Sequence, residues 1–245
     1  MMKIDIMTLF PDMCNAFLHE SVIGRAVASS KVEINCHNIR DYTTDKHNRV
    51  DDAPYGGGMG MILQAQPIYD CYKSITKTLD YKPHVIYMSP QGKTFNQKKA
   101  CELSQLEHII LLCGHYEGVD QRVIDEIVDE EISIGDYVIT GGEMAALIVA
   151  DAVSRLLPNV LSDDVCFEDE SHFSGLLEYP QYSRPQAWNG REVPPVLMSG
   201  HHANIEKWRR EKSLEVTFNK RPELLETANL NENDVKFLSK IKEIK

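Results

Sequence analysis

"EEISIGDYVITGGEMAALIVADAVSRLL", residues 130–157, is the stretch whose reading decides the fold. It opens as a strand, turns at Gly135, resumes extended character and passes through Gly141 and Gly142 into an apolar helix that stops at Pro158. Tyr137, Val138, Ile139 and Thr140 favour extended backbone, whereas glycine weakens a strand and marks a bend or a close approach. Something must come so near this main chain that side chains are kept away.

Working outward, strands and helices alternate. "KIDIMTLF" reads as a first strand ending at Pro11, "MCNAFLHESVIGRAVASS" as one helix, and "VEINCHNI" as a second strand. "AQPIYDCYKSITKTL", "NQKKACELSQL" and "VDQRVIDEIVD" read as helices. "HVIYMSPQG" (84–92) and "HIILLCGHYEG" (108–118) are strands running into turns. This is the pattern of a parallel α/β sheet with its ligand at the strands' carboxyl ends. Three strand ends carry turn chemistry, "SPQG", "CGHYEG" and "GDYVITGG", and such ends converge when their strands are neighbours. "RDYTTDKHNRVDDAPYGGGMGM" has no apolar period, and a loop that long is functional or disordered. The expected organisation is an α/β cofactor domain over 1–160, an interdomain linker over 161–177 and a small helical domain over 178–245.

Composition bounds the class. Of 245 residues 42% are hydrophobic, enough for an ordinary core, and no stretch is long and apolar enough to cross a bilayer. "MMKIDIMTLF" has no cleavage site and reads as a strand, not a signal peptide, so a soluble, cytoplasmic chain is expected. The cysteines at 14, 36, 71, 101, 113 and 166 form no C-x-x-C pair and read as reduced thiols. His201 and His202 lack a third ligand at a recognisable spacing and read as a solvated pair. A formal charge of −11 argues against an indiscriminate nucleic-acid coat. Yet residues 201–222 hold Lys207, Arg209, Arg210, Lys212, Lys220 and Arg221 against three glutamates, a local balance of +3. Such a patch suits a partner recognised at one place, and equally a solvated helix face with i,i+4 pairs.

A glycine-lined cleft first suggests a nucleotide, but no G-x-x-x-x-G-K-[ST] is present. "GGGMGM" imitates a dinucleotide fingerprint, but no apolar strand runs directly into it and a proline follows at 67. The blocks "LCGHYEGVDQRV", "SIGDYVITGGEMAAL", "VSRLLPNVL" and "SGLLEYPQYSRPQAWNGREVPPVLMSGHHANIEKWR" closely resemble the bacterial tRNA (guanine-N1)-methyltransferase family of the SPOUT superfamily. The likeness runs in order from "MTLFPDM" to "RPELL" and includes the long loop.

The resemblance implies a SPOUT-type parallel sheet with a deep trefoil knot near residues 85–142, plus a small helical C-terminal domain, in an obligate homodimer. It implies S-adenosyl-L-methionine held bent in the knot. The cofactor would lie against Tyr87, Met88, Ser89, Pro90 and Gln91, against Gly114, Tyr116 and Glu117, and against Ile134, Gly135, Asp136, Tyr137, Val138, Ile139, Gly141 and Gly142. On this reading the glycines let main-chain groups reach adenine and ribose.

The reaction implied is methyl transfer to N1 of the guanosine at tRNA position 37, beside the anticodon. N1 carries a weakly acidic proton, so a base must remove it while a cation or N–H donors meet the charge at O6. Arg155 matches the family arginine for the second role; taken alone it is also an arginine at a helix end, facing the dipole. The family base is aspartate in "D-S-F" ahead of "G-L-L". Here the sequence is "FEDESHFSGLL", so Glu170 matches and Asp169 stands one residue earlier. Glutamate adds a methylene, and a shift of about 1 Å can cost on the order of a hundredfold. Glu117 is the natural ligand for the Mg2+ associated with activity in the family.

For tRNA, Asp51, Gly57, Gly58 and Gly60 lie in a loop able to close over the target nucleotide. Tyr182, Arg184 and Trp188 offer stacking and phosphate contacts. Lys207, Arg209 and Arg210 would grip the anticodon stem-loop. In a dimer, the C-terminal region of one subunit would serve the cofactor site of the other. Two other readings stand beside this one: methylation of a different RNA position, and a non-catalytic RNA-binding relative that kept the knot.

Overall fold

The computed structural model describes residues 1–161, Phe167 and residues 170–244. The chain divides into two compact units, Met1–Asp164 and Val165–Lys245.

The first unit is a three-layer α/β structure. Its elements in chain order are β1 (Met2–Thr8), α1 (Pro11–Leu18), α2 (Ser21–Ala28), β2 (Val32–Asn38), the short strands β3 (Asp51–Asp52) and β4 (Ile62–Leu63), α3 (Ala65–Thr76), β5 (His84–Thr94), α4 (Gln97–Leu103), β6 (His108–Cys113), α5 (Gln121–Ile127), β7 (Glu130–Ser133) and α6 (Glu143–Ser154). Five strands form one sheet in the order β2-β1-β6-β5-β7, every pairing parallel. Strands buried on both faces read as continuous apolar runs, and β6, HIILLC, is buried at every position. Ile109, Leu111 and Cys113 face one core with Ile4, Ile6, Ile86 and the apolar sides of α1, α2, α4 and α6. Ile110 and Leu112 face the other with Met7, Val85, α3 and α5. Each such aliphatic side chain contributes about 1.5–3 kcal/mol by leaving water.

Several local expectations are corrected. The single helix expected over residues 13–30 is two, α1 and α2. A β-carbon on Gly24 would lie 2.4 Å from the carbonyl carbon of His19, so this glycine lets α2 fold tightly against the end of α1. "SPQG" is not the end of its strand. Residues 89–92 loop out of β5, which then re-pairs with β7 through Lys93 and Thr94. Gly92 allows this, since a β-carbon there would meet the main chain of Glu131 at 2.4 Å. Residues 137–140 are irregular rather than extended. The turn before them is closed by Ser133, whose Oγ donates to Gly135 O, and by Tyr137 N donating to the same oxygen. The long loop is partly ordered by Asp45, whose Oδ1 accepts from His47 N and Arg49 N, and it ends in the β3–β4 hairpin.

The second unit has no regular structure over residues 170–186 and holds its helices beyond residue 194. It contains β8 (Ala187–Trp188), β9 (Arg191–Glu192), a 3-10 turn over Pro195–Met198, α7 (His202–Lys220), a second 3-10 turn over Pro222–Glu226 and α8 (Glu232–Ile244). Leu176, Leu214 and Leu238 form its core, with Phe218, Leu225 and Phe237 packed against them. Leu176 thus brings residues read as linker into this core. No described helix is long and apolar enough to cross a membrane.

Candidate active site

The turns that follow β6 and β7 and the loop-out of β5 at residues 89–92 line one cleft of about 270 Å³. Its walls are residues 87–91, residues 114–118 and residues 132–134 with 137–142, and Ala145 of α6 closes the floor. The three stretches expected to converge therefore meet, one of them as a loop within β5 and not as a strand end. Of the residues expected at a cofactor, Gly135 and Asp136 stand outside the lining, while His115, Gly118, Ile132, Ser133, Thr140 and Ala145 join it.

The glycines have a cause within the chain itself. A β-carbon on Gly142 would lie 2.8 Å from Cys113 Cα, and one on Gly114 would lie 2.8 Å from the Tyr87 hydroxyl. At Gly135, whose φ is +148°, it would meet the Tyr137 ring at 2.6 Å. Gly142 N donates to Gly114 O at 2.8 Å, and His115 and Gly141 form an antiparallel bridge. The walls are bound to each other through main chain, leaving Tyr137 and Val138 largely exposed at the mouth. Burial pushes the Tyr87 phenol above its ordinary range, with Glu131 adding to the shift.

The Gly-rich loop reaches the same place. Leu63 N donates to Gly118 O, Glu117 N to Met61 O, and Asp120 N to Leu63 O. Gly60, at φ +93°, lies against the Glu117 side chain, where a β-carbon would come within 2.4 Å of Oε1. Asp51 sits in the hairpin stem, and Gly57 and Gly58 in its tip, where Tyr55 and Met59 are almost wholly exposed. The loop expected at a substrate and the carboxylate expected at a metal are thus in contact.

Arg155 is the C-cap of α6, and its N–H donates to Asp151 O. Burial pushes the Asp151 carboxyl up, and the Arg155 charge one turn later partly offsets this. At 1.5 Å per residue, Arg155 stands about 18 Å along the helix from Glu143 at the cleft end. The structure therefore does not bring it to the cleft of its own chain. Glu170 is half-buried, its N–H donating to Phe167 O, and Asp169 lies outside the described residues.

Among the expected tRNA contacts, Arg184 is exposed. Lys207 lies 3.9 Å from Glu211, and Arg209 stands 4.9 Å over the Tyr179 ring. Arg210 is committed inside the unit, donating to buried Asp234 at 2.8 Å and to Asn229 O. Burial would raise the Asp234 pKa, but the Arg210 bond and the Asn231 N–H hold its carboxyl below the usual range.

Fold and cleft together define an α/β protein with one cleft where the turns beside adjacent parallel strands meet. The family model described as tRNA (Guanine-1)-methyltransferase TrmD matches residues 2–227. A protein of Ruminiclostridium cellulolyticum named tRNA (guanine-N(1)-)-methyltransferase is 61% identical over 223 residues, covering 91% of this chain and 96% of its own length. Proteins of the same name from Alkaliphilus oremlandii and Bacillus cereus are 56% and 51% identical, each covering at least 98% of both chains. The chain belongs to the tRNA (guanine-N1)-methyltransferase family.

Proposed function

We propose that this chain transfers the methyl group of S-adenosyl-L-methionine to N1 of the guanosine at position 37 of tRNA, working in the cytoplasm as a homodimer. The observation that carries the reading is the convergence of three turns on one cleft, two of whose walls are bonded to each other through main chain. Such a cradle suits an adenosyl group, because paired main-chain donors and acceptors at strand ends match a purine edge and ribose hydroxyls. Residues 87–91, 114–117 and 134–142 would hold it, and when bound it would supply an electrophilic sulfonium methyl.

Glu170, with Asp169 beside it in sequence, would take the N1 proton, and Arg155 would offset the charge growing at O6. The loop bearing Asp51, Gly57, Gly58 and Gly60 would close over the target nucleotide, supported by its contact with the cleft turn. Lys207 and Arg209 would meet the anticodon stem, while Arg210 would serve chiefly by fixing their helix. Among the described residues Glu117 is the one carboxylate on the cleft wall, and no group of three His, Cys, Asp or Glu side chains stands together to hold a metal. A magnesium ion there would keep most of its ligands as water.

Two features support the knot and the dimer. β7 is the edge strand beyond β5, yet Gly142 is bonded to Gly114 at the end of β6, so residues 134–142 cross the end of β5 before entering α6. Phe10, Met13 and Phe17 near α1 and Met144 and Ile148 of α6 are large apolar side chains, each more than 40% exposed. On α6 the positions 144, 148, 151 and 155 follow one stripe. A two-fold axis crossing the middle of that stripe sets two copies of α6 antiparallel and brings Arg155 of one to the cleft end of the other.

Mass mapping of methylation on tRNA transcripts tests the reading. Label should reach N1 of guanosine 37 only where a guanosine also precedes it. Label at another position would support a different RNA substrate, and no label on any tRNA would support a binding-only relative.

A further inference from the structure

Glu143 is a buried carboxylate to which the reaction above gives no task. It stands in the first turn of α6 and is 4% exposed. Its Oε1 accepts a hydrogen bond from Thr8 Oγ1 at 2.8 Å, at the end of β1, and that same hydroxyl oxygen accepts from Phe10 N at 2.9 Å. Its Oε2 lies 4.0 Å from His115 Nδ1, a buried atom with no hydrogen-bond partner among the described residues. A β-carbon on Gly141 would fall 2.4 Å from Glu143 Oε2 and 2.5 Å from His115 Nδ1. The loop therefore passes directly over this pair.

One carboxylate is thus bonded to the end of β1 and lies beside the turn at residues 114–118 and the loop at residues 134–142. The last two are two of the three cleft walls. An anion is favoured here by the unsatisfied N–H groups and dipole of α6, which has no side-chain cap of its own. We propose that Glu143 is a positioning residue for the methyl donor: held by Thr8, it sets the spacing of the two walls and through them the shape of the cleft. The proposal rests on the reading of that cleft as the adenosyl site.

The test uses the full-length protein, calorimetric titration with S-adenosylhomocysteine, and initial rates with each substrate varied. Thr8→Val and Glu143→Ala should each weaken binding about tenfold, the scale of one lost buried hydrogen bond. Glu143→Gln keeps an acceptor for Thr8 and should stay within about threefold. The KM for the methyl donor should rise while that for tRNA holds. Should Glu143→Ala not fold, Thr8→Val, close to isosteric, carries the test. A merely structural carboxylate would lower the melting temperature and the number of sites but leave Kd unmoved in the folded fraction, and that result overturns the proposal. Wild type that binds no adenosyl ligand removes the reading of the cleft, and this inference with it.

Discussion

A β-carbon placed on Gly142 collides with Cys113 Cα at 2.8 Å and Gly114 N at 3.0 Å, and neither main-chain atom can swing aside. Gly142→Ala should therefore lose about 1–3 kcal/mol of stability in urea denaturation, because the loop must lift from β6. The same displacement should weaken S-adenosylhomocysteine binding. Gly56 provides the contrast: at φ +87° a β-carbon meets nothing within 4 Å, so Gly56→Ala carries only the backbone strain of about 1 kcal/mol and should leave binding intact. Sequence alone marked these glycines, since a residue without a side chain is visible in the string. It did not show what they approach, and the nearest atoms are the chain's own. His115 was equally within reach, sitting between Gly114 and Tyr116 in a block already read as cleft. Glu143 was not, because only the meeting of β1 with the start of α6, 135 residues apart, gives it a partner.

β1, β2 and β6 are tied across their surface by one fully buried carboxylate. Asp5 accepts from His108 Nε2 at 2.6 Å and His37 Nε2 at 2.7 Å, with Asn35 at 3.2 Å and the Lys3 ammonium at 3.7 Å. Burial alone would raise its pKa, but the two histidine bonds and the neighbouring charges win and hold it well below the usual carboxylate range. A depressed pKa contributes stability that is complete above the unfolded value of about 4 and is lost as pH falls through the lower folded value. Asp5→Asn should lower stability at pH 7 by about 3 kcal/mol. It should also flatten the decline of stability between pH 4 and pH 2, read from urea midpoints across that range. At the start of α8, Asn231 Oδ1 accepts from Asp234 N while Asp234 Oδ2 accepts from Asn231 N. Asn231→Ala should cost about 1 kcal/mol in the same assay. That N-x-x-D box is legible in the string because it is local, as is the alternation that makes the five-stranded sheet. The helix break before Gly24 depends on contact between two helices and is not. The β8–β9 hairpin has a local signal too: Asn189-Gly190, both at positive φ, is the dipeptide that favours such turns.

At the scale of the whole molecule the question is where a cleft finds its arginine. Arg155 sits about 18 Å from the cleft end of its own α6, so within one chain the two halves of the proposed chemistry are a helix length apart. An isologous pair joined along Met144 and Ile148 would close that distance twice, once at each cleft. Arg155→Ala should then bind S-adenosylhomocysteine as wild type does yet lose methyl transfer. Ile139→Trp, which fills the cleft from its own wall, should lose both. Neither variant is active alone, but a heterodimer of the two holds one complete site: the open cleft of the arginine-less chain, served by Arg155 of the other. After unfolding and refolding together in equal amounts, about half the dimers are mixed and each has one working site of two. Methyl transfer should recover to about a quarter of wild type. Ile148→Asp placed in both chains should abolish the recovery and yield monomers in analytical ultracentrifugation. If the mixture stays as inactive as its parts while forming dimers, Arg155 acts within its own chain or not at all, and the antiparallel pairing of α6 is wrong.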